Sequence, residues 1–112
     1  MATLTVNTLV YGGLNSESVF VAAAASQEFA NDGRTFMIIR NGDGSSKTCT
    51  ITSAGTTQGR AIADDVITIG ATTGEQMVGP WPRSIYNAAD GNIDITWSAT
   101  TSVTVAVFNL PL

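Results

Sequence analysis

The sequence predicts an all-β chain: an antiparallel, jelly-roll-like β-sandwich of about eight short strands. Three observations lead there. Short runs rich in Val, Ile and Thr alternate apolar with polar residues, the two-residue period of a strand with one buried face. No stretch repeats its apolar residues at helical spacing over the length a crossover helix needs. Turn formers punctuate the runs, among them Asn31-Asp32-Gly33, Asn41-Gly42-Asp43-Gly44 and Asp90-Gly91-Asn92.

Taken in order, residues 3–10 are a first strand, and the wider span 1–13 reads as an arm or an edge strand. Residues 18–24 form a second. Residues 35–40, with Phe36, Met37, Ile38 and Ile39, are apolar on both faces, which calls for a central strand covered on both sides or one lying against a subunit neighbour. Residues 47–53 are its expected antiparallel partner, and residues 54–60 read as a loop. Residues 65–69 and 75–78 are further strands. Pro80 and Pro82 cannot donate ladder hydrogen bonds, so residues 79–84 lie outside any central ladder, and residues 84–89 have room for one helical turn. The clearest strand is 92–98, with Ile93, Ile95 and Trp97 on one face and Asp94 and Thr96 on the other. Residues 102–108 follow with Val103, Val105 and Val107 on one face, and Ala99-Thr100-Thr101 is expected to close the two runs into a hairpin.

A chain of 112 residues suits one domain, here 1–112, and buries about two-thirds of its unfolded surface without a staple. The composition, 44% hydrophobic and only 12% charged, is too apolar for disorder and low in charge for a strongly solvated surface, so association is expected. Against nine acidic residues stand Lys47, Arg34, Arg40, Arg60 and Arg83, scattered along the chain. They form no basic stripe for a phosphate backbone, so nucleic acid is not an expected partner. The longest apolar run, residues 19–25, is seven residues, too short for a bilayer, so no membrane partner is expected either. The start of the chain lacks the charged and apolar regions of a signal peptide, which points to synthesis and folding in a cytoplasm.

Histidine is absent, which removes the commonest general base and every Ser-His or Cys-His nucleophile. There is no phosphate-binding Gly-rich loop and no paired cysteine for zinc, so neither catalytic residues, cofactor nor metal are assigned. Cys49, alone and on the same face as Ile51, reads as a buried, inert thiol. Asp90, Asn92 and Asp94 match the start of a calcium loop, but Ile95 and Thr101 stand where the pattern requires Gly and Glu; an Asp-Gly turn entering a strand is the reading adopted. The neighbours Asp64 and Asp65 point to opposite faces of a strand and are badly placed to share a proton or a metal.

Interaction is the remaining chemistry. Trp81, between Pro80 and Pro82 and followed by Arg83 and Tyr86, is either a binding anchor on a stiff loop or an indole plugging one end of the sandwich. Phe108, Leu110 and Leu112 make an apolar carboxyl-terminal stretch that packs either on a neighbouring subunit or on its own sandwich.

Two stretches carry a resemblance: Phe29-Ala30-Asn31-Asp32-Gly33-Arg34-Thr35-Phe36 with the strand and Asn-Gly turn after it, and Gly79-Pro80-Trp81-Pro82 through Ile85-Tyr86-Asn87 to Asp90-Gly91-Asn92. With the Thr/Val-rich final strands, the chain resembles small structural proteins of tailed bacteriophages, of the capsid decoration (cement) type, over roughly residues 18–107. Residues 3–13 match nothing in that pattern. The resemblance implies a β-rich protein without enzymatic activity, a homotrimer that binds the major capsid protein on the outer face of the virion shell. Two other duties are compatible with the same residues: a tail, fibre or baseplate component, and a carbohydrate-binding sandwich using Trp81 and Tyr86.

Overall fold

The computed structural model describes residues 2–54, 56–57, 59–61 and 63–110. Along the chain they form β1 (Ala2–Thr3), β2 (Val6–Thr8), a 3-10 turn (Ser16–Val19), β3 (Val21–Ala22), β4 (Ser26–Ala30), β5 (Thr35–Asn41), β6 (Lys47–Ile51) and β7 (Thr56–Thr57). There follow β8 (Arg60–Ala61), β9 (Asp65–Ile69), β10 (Gly74–Val78), the single helical turn α1 (Arg83–Tyr86), β11 (Asn92–Trp97) and β12 (Val103–Asn109). Two five-stranded sheets face each other as a β-sandwich, ordered β1-β4-β11-β6-β9 and β10-β5-β12-β2, with β3 beside β2 on the same flank of β12. The central ladders are antiparallel as expected, but both sheets are mixed, because β1 runs parallel to β4 and β2 parallel to β12.

Alternation builds the core directly. Phe29, Cys49, Ile51, Ile69, Ile93, Ile95 and Trp97 point inward from the first sheet, and Met37, Ile39, Val103, Val105 and Val107 meet them from the second. Leu4, Ala23 and Trp81 complete the buried cluster. At about 1.5–3 kcal/mol for each large aliphatic or aromatic side chain removed from water, this interior is the main favourable contribution to folding.

The pairings of sequence neighbours differ from expectation. Residues 92–98 and 102–108 do not form a hairpin: β11 pairs with β4 and β6, while β12 pairs with β5, β2 and β3 in the opposite sheet. Their connection arches over the core, held by the bonds Ser98 N–H to Thr48 O (2.9 Å) and Val103 N–H to Thr100 O (3.2 Å), with Ser102 in the left-handed region at φ 56°. Residues 35–40 and 47–53 are likewise not partners, since β5 pairs with β10 and β12 whereas β6 pairs with β11 and β9. Asn41, buried at that corner, explains the change of sheet. Its Nδ2 donates to the carbonyls of Ser45, Ile69 and Gly70 and its Oδ1 accepts from Asp43 N–H, fixing the chain across the end of the sandwich.

Four local differences accompany these. β4 was not among the expected strands, because its inward residues are Phe29 and the polar Gln27. Residues 18–24 supply only the 3-10 turn and the two-residue β3. Residues 54–60, expected as a loop, contain part of the small β7/β8 hairpin, which turns at Gly59, φ 79°. Finally, residues 3–10 divide between the two sheets as β1 and β2, edge strands both, and the chain then projects Val10 and Tyr11 into solvent at a turn closed by Gly13 N–H to Val10 O.

The apolar outer side of β5 is covered in part from within the same chain. Phe36 stacks on Phe108 of β12 at 5.6 Å, and the Arg40 guanidinium lies 4.1 Å from the centre of the Phe20 ring, just beyond the 3-10 turn. Arg40 also pairs with Glu75 on β10 at 3.1 Å.

Candidate interaction surface

The segment joining β10 to β11 is held down at its aromatic residue. Trp81 is 4% exposed and packs its ring 5.3 Å from that of Phe29, with the ring planes tilted by 49°. It is therefore the plug of the sandwich end, and the reading of Trp81 as an exposed anchor is corrected: an indole inside the core has no face to offer a protein or a sugar. Gly79 permits the approach. Its φ is 118°, and a Cβ there would stand 3.0 Å from both Phe36 Cα and Thr35 O, so a side chain is excluded by conformation and by space.

The two stretches that carry the phage resemblance meet at this point. Asn31 Nδ2 donates to Trp81 O (3.1 Å) and to Asn87 Oδ1 (2.7 Å), while Asn87 Nδ2 donates back to Asn31 O (3.0 Å) and to Gly91 O (3.1 Å). Four acceptors and two amides thus close a reciprocal clasp between the β4–β5 turn and the α1–β11 turn. Neither asparagine was singled out from the sequence; the only available signal was their place in turns, which does not reveal a partner 56 residues away.

α1 follows Pro82. Tyr86, half-buried, donates its hydroxyl to Asp65 Oδ2, and this bond, together with burial and the Asp65 charge, pushes its ionisation up to about 12. Asp64 turns the other way and accepts Ser53 N–H at 2.9 Å. Asp65 thus ties α1 to the start of β9, and Asp64 ties the segment before β9 to the one after β6. Pro80, Pro82 and Arg83 are exposed.

Pro80 and Leu110 come together at one surface feature. A shallow groove of about 350 Å³ is lined by Arg34, Phe36, Met77, Val78, Gly79, Pro80 and Leu110. Met77 is 69% and Leu110 47% exposed, so the groove presents aliphatic surface to water. Of the residues expected to interact, Pro80 and Leu110 line this groove, Trp81 is in the core, Phe108 is buried under Phe36 on the outer side of its sheet, Pro82 is exposed, Arg83 and Tyr86 lie on α1, and Leu112 falls outside the described residues. Met77 was missed, since a strand pattern alone does not show which outward residues lack cover.

The remaining candidates for chemistry are accounted for as structure. Asp90 Oδ1 accepts Asn92 N–H at 3.0 Å around Gly91, φ 82°, an Asx-type turn into β11. Asp94 lies opposite Glu28 on the outer face; burial first, then the charges of Glu28 and Asp90, raise its carboxyl above the usual range. No group of three or more His, Cys, Asp and Glu side chains among the described residues is placed to hold a metal ion. Cys49 is buried, and desolvation pushes its thiol up to about 12. Among the described residues no helix is long and apolar enough to cross a membrane. No protein-family model, curated protein or solved structure matches this chain.

Proposed function

We propose that this chain is a non-enzymatic structural protein of a tailed-phage virion, which binds the major capsid protein on the outer surface of the shell as a decoration protein. The observation that carries the reading is the groove lined by Phe36, Met77, Pro80 and Leu110, which presents aliphatic surface to water. A surface that adheres without reacting needs apolar area fixed in shape, and the clasp of Asn31 and Asn87 around Trp81 fixes the neighbouring segment. Many weak copies on one shell then add through multivalency. The resemblance of the two stretches that meet at the clasp gives the reading its class.

Purified protein mixed with emptied phage heads should sediment with them and not with isolated tails. Met77→Asp and Leu110→Asp should each weaken head binding about tenfold, the loss expected when about 1.4 kcal/mol of apolar contact is removed, while leaving the melting temperature of the free protein in place. Binding to tails with bare heads would transfer the protein to the tail, fibre or baseplate class. Of the two rings on which the carbohydrate-binding alternative relies, Trp81 is buried in the core and Tyr86 is half-buried.

A further inference from the structure

β9 is a terminal strand of the first sheet, paired on one side with β6. On its other side it makes no backbone hydrogen bond with any described residue. Most of the strand is open to solvent: Val66 is 61% exposed on the outer face, Thr68 is exposed, and the inward Ile67 is only half-buried, while Ile69 at its end is buried in the core. Proteins ordinarily blunt such an edge with Lys, Pro, a bulge or extreme brevity. The other terminal strands follow that rule in part: β1 has two residues, β2 has three, and β10 begins at Gly74, carries Glu75 and is followed by Pro80. β9, Asp65-Val66-Ile67-Thr68-Ile69, has none of these devices in its interior and consists there of β-branched residues, the best strand formers.

We propose that this edge is the contact for a second copy of the same chain, the two β9 strands pairing antiparallel about a two-fold axis at Ile67. Charge selects that arrangement. Asp64 and Asp65 stand together at the start of the strand. Parallel pairing would set them against the same two residues of the partner, which repels. Antiparallel pairing centred on Ile67 sets Asp65 against Ile69 and Val66 against Thr68, and holds the two Asp65 residues about 14 Å apart along the strands. That exceeds the screening length of about 8 Å at physiological ionic strength. The contact is isologous, so it saturates at two copies and leaves no further edge of this kind open. A five-residue strand pair is small against the roughly 1,000 Å² of a stable interface, so the dimer should be weak, with a dissociation constant between about 10 µM and 1 mM. This inference rests on the β9 edge alone and stands or falls independently of the capsid reading.

The test combines stoichiometry with register. Sedimentation equilibrium of the full chain up to about 2 mM should show a monomer–dimer equilibrium, and Val66→Lys should shift it at least tenfold towards monomer without lowering the melting temperature, since Val66 is exposed. Cysteines introduced at β9 report register cleanly because Cys49 is buried. Ile67→Cys should cross-link to itself under mild oxidation; Val66→Cys and Thr68→Cys should each fail alone and form a disulfide when mixed. A strict monomer throughout the concentration range overturns the proposal. So does self-cross-linking of Val66→Cys alone, which would mean parallel pairing, and so does a trimer without the mixed cross-link, which would instead favour the symmetry implied by the phage resemblance.

Discussion

Removing the carboxamide of Gln27 tests how the first sheet is locked. Gln27 is 3% exposed on the inward face of β4, and its Oε1 accepts the indole N–H of buried Trp97 on β11 at 2.9 Å. Gln27→Leu keeps the volume close to native but leaves that N–H in the core without a partner, which costs about 1–3 kcal/mol. Trp97→Phe does the converse, orphaning the Gln27 oxygen and also opening a void, for about 2–4 kcal/mol. In the double variant neither orphan remains, so its loss should fall short of the sum by about 1–2 kcal/mol. Urea denaturation followed by far-UV circular dichroism gives the four free energies, and near 4 °C per kcal/mol for a domain this size the Gln27→Leu melting point should drop by about 4–12 °C. Single losses below about 0.5 kcal/mol, or strict additivity, would refute the claim that this bond is a buried and obligatory one.

Three further outcomes follow from the same structure. Asp94→Asn should raise stability at pH 7, because the native carboxyl is held above its unfolded value and its charged form is disfavoured on folding; stability carried by its proton is lost as pH rises through the native value, and the advantage of the variant should vanish below about pH 3, where the carboxyl is protonated in both states. Spectrophotometric titration should show one tyrosine ionising near 12, and Asp65→Asn should return it towards the ordinary value; since the native value is raised, the stability tied to the Tyr86 proton is complete below pH 10 and is lost between about pH 10 and 12. Cys49 should resist a thiol-specific disulfide reagent at pH 8 in the native protein and react fully on addition of denaturant; prompt native reaction would contradict its burial.

The candidate surface was only partly legible in the sequence. Pro80 and Leu110 were picked out as interaction residues and do line the groove. Trp81 and Phe108 drew attention because large aromatics in a proline-rich loop and near a chain end are conspicuous, yet both are buried. Their burial depends on Phe29 and Phe36, distant in sequence, which supply the rings they pack against. Met77 was invisible as a surface feature, because its exposure depends on β10 being the last strand of its sheet.

The sequence by itself determined what each strand does with its two faces. Side chains alternate along extended backbone whatever the strand pairs with, so Ile93, Ile95 and Trp97, and likewise Val103, Val105 and Val107, were bound to share an inward face. Turn residues with a local mechanism, such as Asp90-Gly91-Asn92, were equally legible. Only the tertiary structure decided which strands are neighbours. A hairpin and an arch across the core satisfy the same alternation, and the choice between them fell to contacts far apart in the chain: Asn41 reaching Ile69 and Gly70, Ser98 bound to Thr48, Gln27 holding Trp97. Gln27 also shows why β4 was hidden, since a polar side chain belongs in a core only when its partner is already there, and that partner lies 70 residues away.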